Sequence, residues 1–218
     1  MVPKHLSASA RRQQILDEAR SLFLTRGYDA TTVEDILAAV GIAKGTLYHH
    51  FASKEAILEA IVLRTSDEIA ERAEAAAANQ SLPAIARMLA VISTARASDE
   101  DIELAQQFRA PENVRFHLLS IQQAFARLIP VLTRVVEEGV AAGELSTADA
   151  RSSVEVVLAA GSTLLDGGIF PLDDDDPAAS AAARQAALLK TAAALLGADP
   201  AVLAAMVALA PADGDTGI

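Results

Sequence analysis

Lys44, Thr46, Tyr48, His49 and His50 fall within a few consecutive positions, and each carries a hydrogen-bond donor. Leu47 and Phe51 stand four apart among them, so on a helix they share a face that can pack inward. A helix anchored by two apolar residues, with donors on its other faces, suits a DNA major groove. Other chemistries are poorly supplied. The chain has no Cys, which excludes disulfides, thiolate zinc sites and cysteine nucleophiles. Its histidines are His5, His49, His50 and His117, and His-Glu-x-x-His, a phosphate-binding glycine loop and Gly-x-Ser-x-Gly are all absent. Adjacent His49 and His50 do not share a helix face, so no metal site is expected there. The run Asp173 to Asp176 offers hard oxygen donors but lacks the calcium-loop alternation and closing Glu, and reads as a solvated linker ending in a helix cap.

The donor-rich segment needs elements to hold it. Thr32 is a suitable N-cap, with Asp35 three residues on as a near capping box. Val33, Ile36, Leu37 and Val40 follow at helical spacing, and Gly41 suits the left-handed residue that ends a helix. About three residues then join two short helices, the turn length of a helix-turn-helix. Upstream, Ile15, Ala19, Leu22 and Phe23 form the stripe of a helix ending at Gly27, which would pack across the pair.

Residues 11–58 resemble the DNA-binding domain of the tetracycline-repressor family of bacterial regulators. The likeness runs through Ala19, Leu22, Phe23, Gly27-Tyr28, Thr31-Thr32-Val33 and Ile36. It continues through Gly41 to Phe51, and through Ser53-Lys54-Glu55 to Leu58. The resemblance implies an all-α fold: an N-terminal three-helix helix-turn-helix domain followed by a larger helical ligand-binding and dimerisation domain. It also implies that Lys44, Gly45, Thr46, Tyr48 and His49 face DNA while Leu47 stays in the core. Gly45 would let the backbone come close, Thr32 would aim its helix N-terminus at phosphate, and Lys54 would clamp phosphate. His50 reads either as a further DNA donor or as a packing residue of the head.

Charge fits that division. Through residue 64 the chain holds eight Lys or Arg against seven Asp or Glu, so the total of −11 leaves −12 for the rest. A head that approaches phosphate and a body that does not would be charged in this way. No apolar run reaches membrane-spanning length and the N-terminus lacks a signal-peptide core, so a cytoplasmic protein with no membrane partner is expected.

The pattern gives about nine or ten helices. The divisions are 1–53 for the arm and head, 54–210 for the effector-binding and dimerisation domain, and 211–218 for a frayed tail. A long helix starts at Lys54. Ser81 and Pro83 open another, with the stripe Leu82, Ile85, Leu89 and Ile92. An acidic first turn follows Ser98. Beyond Pro111, Val114, Leu118, Ile121, Phe125, Leu128, Leu132 and Val135 form a seam, which Pro130 should kink or divide. Two C-terminal helices follow Ser146 and Asp176-Pro177, and Asp199-Pro200 starts a short apolar helix.

The family resemblance further implies a homodimer built on those two C-terminal helices. Val154, Val157, Leu158, Gly161, Leu164 and Leu165 on the first, with Leu188, Leu189, Ala193 and Leu196 on the second, are the expected interface. Two heads related by a two-fold axis would read a palindromic operator on double-stranded DNA. In the family the body generally encloses an effector pocket. Candidates here are Met88, Leu89, Ile92, Phe108, Phe116, His117, Ile121, Gln122, Phe125 and Phe170, which suggest a largely apolar small molecule. A repressor released by its effector is the expected function, with no cofactor and no catalytic role. A regulator of the same fold that answers to a protein partner or acts as an activator is the alternative, and an all-helical enzyme the remote one.

Overall fold

The computed structural model describes residues 6–95, 114–165, 175–199 and 201. Eight helices account for most of these residues: α1 (Ala8–Arg26), α2 (Val33–Val40), α3 (Lys44–His50), α4 (Lys54–Ala77), α5 (Ala84–Ala95), α6 (Val114–Ala141), α7 (Ala150–Leu165) and α8 (Pro177–Leu196). No strand occurs among the described residues. They divide into two compact units, one drawn from Met1–Glu68 and Arg96–Ala124, the other from Ile69–Ala95 and Phe125–Ile218.

In the first unit the expected stripe of α1 is inward, with Ile15, Ala19 and Phe23 fully buried and Leu22 partly so. These residues share one core with Ile36 and Val40 of α2, Leu47 of α3, and Ile57, Leu58, Ile61 and Val62 of α4. The head's core therefore runs well past residue 53 and also takes in Phe116 near the start of α6. The residues of α4 and Phe116 enlarge the core of a small three-helix head, each supplying roughly 1.5–3 kcal/mol when fully buried. Arg64 on α4 ties back to α1, donating to Gln13 Oε1 at 3.0 Å and to Asp17 Oδ1 at 2.6 Å.

The second unit is organised around side chains that the apolar pattern does not reveal. Arg87 of α5 is only 4% exposed. Its Nε and Nη2 donate to the Ala77 carbonyl at the end of α4, at 2.8 and 2.6 Å, and Nη2 also reaches Glu138 Oε2 at 2.5 Å. A cation at a helix C-terminus satisfies a terminal carbonyl and complements the helix dipole. The start of α5 is served by Glu144, whose carboxylate accepts the Ala84 N–H at 2.5 Å. Gly139 allows that approach, since a Cβ there would lie 2.5 Å from Ala84 Cβ.

α7 and α8 pack on one another. Gly197, at φ 60°, ends α8 against the Ser146 carbonyl, where a Cβ would sit at 2.3 Å, and Ser146 N–H donates to Leu196 O at 2.9 Å. Asp176 caps α8 by accepting the Ala179 N–H at 2.9 Å, with Pro177 in the first turn as the sequence implies.

Two expectations differ and a third is narrowed. Pro130 does not divide its helix, because α6 is unbroken from Val114 to Ala141. The proline faces outward while Leu128, Val131 and Leu132 beside it are buried, and their packing offsets the roughly 3 kcal/mol that an interior proline costs. Leu82 precedes α5 instead of joining its stripe and is 40% exposed. Leu118 is 55% exposed, so the buried line of α6 runs through Phe116, Leu128, Val131, Leu132, Val135 and Val136 instead. The acidic turn after Ser98, the linker through Asp174 and the expected helix past Ala201 lie outside the described residues.

Candidate DNA-binding surface

The surface is built from α2, the turn and α3. Thr32 and Asp35 form a complete capping box: Asp35 N–H donates to Thr32 Oγ1 at 3.1 Å, and Thr32 N–H to Asp35 Oδ2 at 2.9 Å. The Thr32 hydroxyl also donates to Asp35 Oδ2 at 2.6 Å, and Arg26 reaches Oδ1 at 3.1 Å. Thr32's hydrogen bonds, followed by the Arg26 charge, hold the Asp35 carboxyl below its ordinary pKa. Gly41 ends α2 at φ 71°, and its N–H donates to Leu37 O at 2.9 Å. Only glycine adopts that left-handed backbone without cost, so the chain turns sharply into α3.

On α3 the residues separate by face. Leu47 is fully buried and Phe51, just past the helix, is 4% exposed beneath the Arg12 guanidinium. Lys44, Gly45, Thr46 and His49 are exposed, Tyr48 is 44% exposed, and His50 is half-buried. The rings of His49 and His50 lie edge to face, 5.4 Å apart. Among the described residues, nothing beyond its chain neighbours and its own helix backbone lies within 4 Å of a Cβ built on Gly45, so this face is open to an approaching ligand. Ala43 caps α3 without any side-chain hydrogen bond.

Two lysines have partners that sequence reading missed. Lys44 Nζ lies 3.2 Å from Glu34 Oε1 and 5.9 Å from the Tyr48 ring centroid. That hydrogen bond pulls the Glu34 carboxyl below its ordinary pKa and lifts the Lys44 ammonium above its own. Lys54 is half-buried: its ammonium donates to Tyr28 O at 2.8 Å and Thr31 O at 2.9 Å, and lies 4.2 Å from the Tyr28 ring centroid. Two of its three donors therefore brace the loop between α1 and α2, a setting the sequence does not suggest. Residues 10 and more than 20 apart are involved, beyond the reach of helical spacing rules.

The other expected residues are distributed as follows. Met88 is buried, Leu89 and Ile92 half-buried on α5, and Phe125 half-buried on α6. His117 and Ile121 are half-buried and Gln122 is exposed. Phe116 belongs to the head's core, 5.7 Å from the Tyr28 ring centroid. Phe108 and Phe170 lie outside the described residues, as does the side chain of Leu165. Among the expected interface residues, Val154, Ala193 and Leu196 are 1%, 0% and 1% exposed within the single chain. Their surface is consumed by their own unit and is not offered to a partner. Val157, Leu158, Gly161, Leu164, Leu188 and Leu189 are half-buried, with Gly161 placed so that an added Cβ would touch Leu188 at 3.6 Å.

The comparisons bear on this surface first. A family model described as "Bacterial regulatory proteins, tetR family" matches residues 15–61. The HTH-type transcriptional repressor KstR2 of Rhodococcus jostii (strain RHA1) is 49% identical over 61 residues, which cover 28% of this chain and 30% of the repressor. The match thus spans less than a third of that relative's length. Solved structures extend the likeness: Salmonella enterica GusR has a TM-score of 0.59 at 26% identity, covering 86% of this chain and 95% of GusR. A transcriptional regulator of the TetR/AcrR family from Thermobifida fusca YX-ER1 has the same TM-score of 0.59 at 27% identity, covering 84% of this chain and 96% of the regulator. Residues 15–61 thus carry a helix-turn-helix head of the tetR-family type, and the described residues share the helical plan of solved tetR-family regulators.

Proposed function

We propose that the protein is a homodimeric transcriptional repressor that reads a palindromic operator through α3 and is released by a small-molecule effector. The observation that carries this reading is the division of α3. Leu47 is fully buried while Lys44, Gly45, Thr46, Tyr48 and His49 stand outward together. An anchored helix with an outward row of donors can enter a major groove without unfolding the head. Lys44 donates to guanine O6 or N7 or to phosphate, and Thr46 and Tyr48 meet a thymine methyl or a phosphate oxygen. His49 and His50 add donors at the rim. Lys54 holds the α1–α2 loop and keeps one ammonium N–H for phosphate, and Thr32 fixes the start of α2.

Dimerisation uses the surface of α7 and α8 that remains after Val154, Ala193 and Leu196 are buried, chiefly Val157, Leu158, Leu164, Leu188 and Leu189. The effector acts by binding one arrangement of the heads better than another, and a differential affinity of about 1–3 kcal/mol suffices to change operator affinity 5–150-fold. Selection of duplexes from a randomised library tests the reading. The full chain should enrich a two-fold symmetric site; enrichment of no sequence would overturn it. The named relatives are transcriptional regulators, which favours this reading over catalysis.

A further inference from the structure

We propose that Glu34 determines how selectively the head reads DNA, by holding the Lys44 ammonium in a pair that a base edge can share and a phosphate cannot. The inference rests on the DNA-binding reading of α3. Glu34 lies in the first turn of α2 and Lys44 opens α3, with the ammonium and carboxylate 3.2 Å apart across the turn. Both side chains are open to water, at 61% for Lys44 and 68% for Glu34, so screening leaves the pair little part in stability. It stands on the outward face, beside exposed Thr46 and Tyr48. Neighbouring Asp35 is already engaged by Thr32 and Arg26, which leaves Glu34 as the carboxylate facing Lys44.

The two kinds of DNA acceptor respond differently to this pair. A phosphate carries a full negative charge, so its attraction to Lys44 is opposed by repulsion from Glu34, and a neutral pair displaces no counterion. Guanine O6 and N7 are uncharged acceptors. They can take a second N–H of the ammonium while Glu34 retains the first. Glu34 thus weakens sequence-independent attraction more than it weakens base contact, and it keeps the Lys44 side chain over α3.

The test compares the full chain with Glu34→Gln on two duplexes: one enriched by selection from a random library, and a scrambled duplex of the same length. The variant should bind the scrambled duplex more tightly and the selected one with little change. Its salt slope on the scrambled duplex should steepen by about 0.9, one further phosphate neutralised, so that its advantage shrinks about threefold between 50 and 200 mM salt. Adding Lys44→Gln should abolish the gain. An unchanged slope, an equal gain on both duplexes, or a gain that persists without Lys44 would overturn the inference. Wild-type chain that binds the selected duplex while Glu34→Gln behaves identically refutes only this role. Wild-type chain that binds neither duplex refutes the DNA-binding reading itself.

Discussion

The Lys54 ammonium lies 2.8 Å from the Tyr28 carbonyl and 4.2 Å from the centre of the same residue's ring. One side chain at the start of α4 thus fixes both the backbone and the aromatic ring of the loop that leads into α2. The Tyr28 ring in turn meets Phe23 at 5.1 Å and Phe116 at 5.7 Å. The loop's geometry decides where α2 begins, and therefore where α3 points.

Lys54→Met keeps an apolar stem and removes the donor. Hydrogen bonds from a charged group contribute about 1.5–3 kcal/mol, so the variant should lower head stability by about 2 kcal/mol. Hydrogen exchange at the amides of α1 to α3 measures this directly. Protection equal to wild type would show that water replaces the ammonium without penalty.

The Tyr28 phenol is pushed up to about 12 from an ordinary 10.0, first by burial, then by the carboxylates of Glu55 and Asp29. Below pH 10 the phenol is neutral in the folded and unfolded chain alike, and this contribution is intact. As pH rises from 10 toward 12, the unfolded chain loses the proton first, so stability falls across that window. The chain has two tyrosines, so in Tyr48→Phe the phenolate absorbance reports Tyr28 alone. It should rise near pH 12 in the folded protein and near 10 in denaturant. Coincident curves would mean that the ring is not buried.

Leu196 and Leu188 should separate packing from association. Leu196 is 1% exposed, and Leu196→Ala should cost about 3 kcal/mol of stability while leaving the dimer assembled. Leu188 is half-buried, and Leu188→Glu should give monomers in sedimentation. If Leu188→Glu remains dimeric, the interface lies away from this part of α8.

The head was legible in the sequence because its instructions are local. Thr32 and Asp35 are three apart, Leu47 and Phe51 four apart, and Gly41 is needed for a single backbone conformation. The pairs Lys54–Tyr28, Lys44–Glu34 and Arg87–Glu138 are distant in sequence and exist only once the helices have met. A buried arginine such as Arg87 looks like a surface residue until the Ala77 carbonyl that needs it is placed. Three residues of the C-terminal pair were illegible for a related reason. Periodicity shows that Val154, Ala193 and Leu196 face something apolar, but not whether it is their own chain. That Pro130 leaves its helix undivided is not legible either, because its intrinsic cost is visible in sequence and the packing that offsets it is not.

The affinity of the full chain for its selected duplex, followed against salt in wild type and in Lys44→Ala and Tyr48→Ala, tests the central claim most directly. The wild-type affinity should fall steeply and linearly on logarithmic axes, as phosphate contacts release counterions. Both variants should bind more weakly with helical content and dimer unchanged, each lost base contact costing about 1–3 kcal/mol. A flat salt dependence, or two variants as tight as wild type, would contradict the assignment of α3 to DNA.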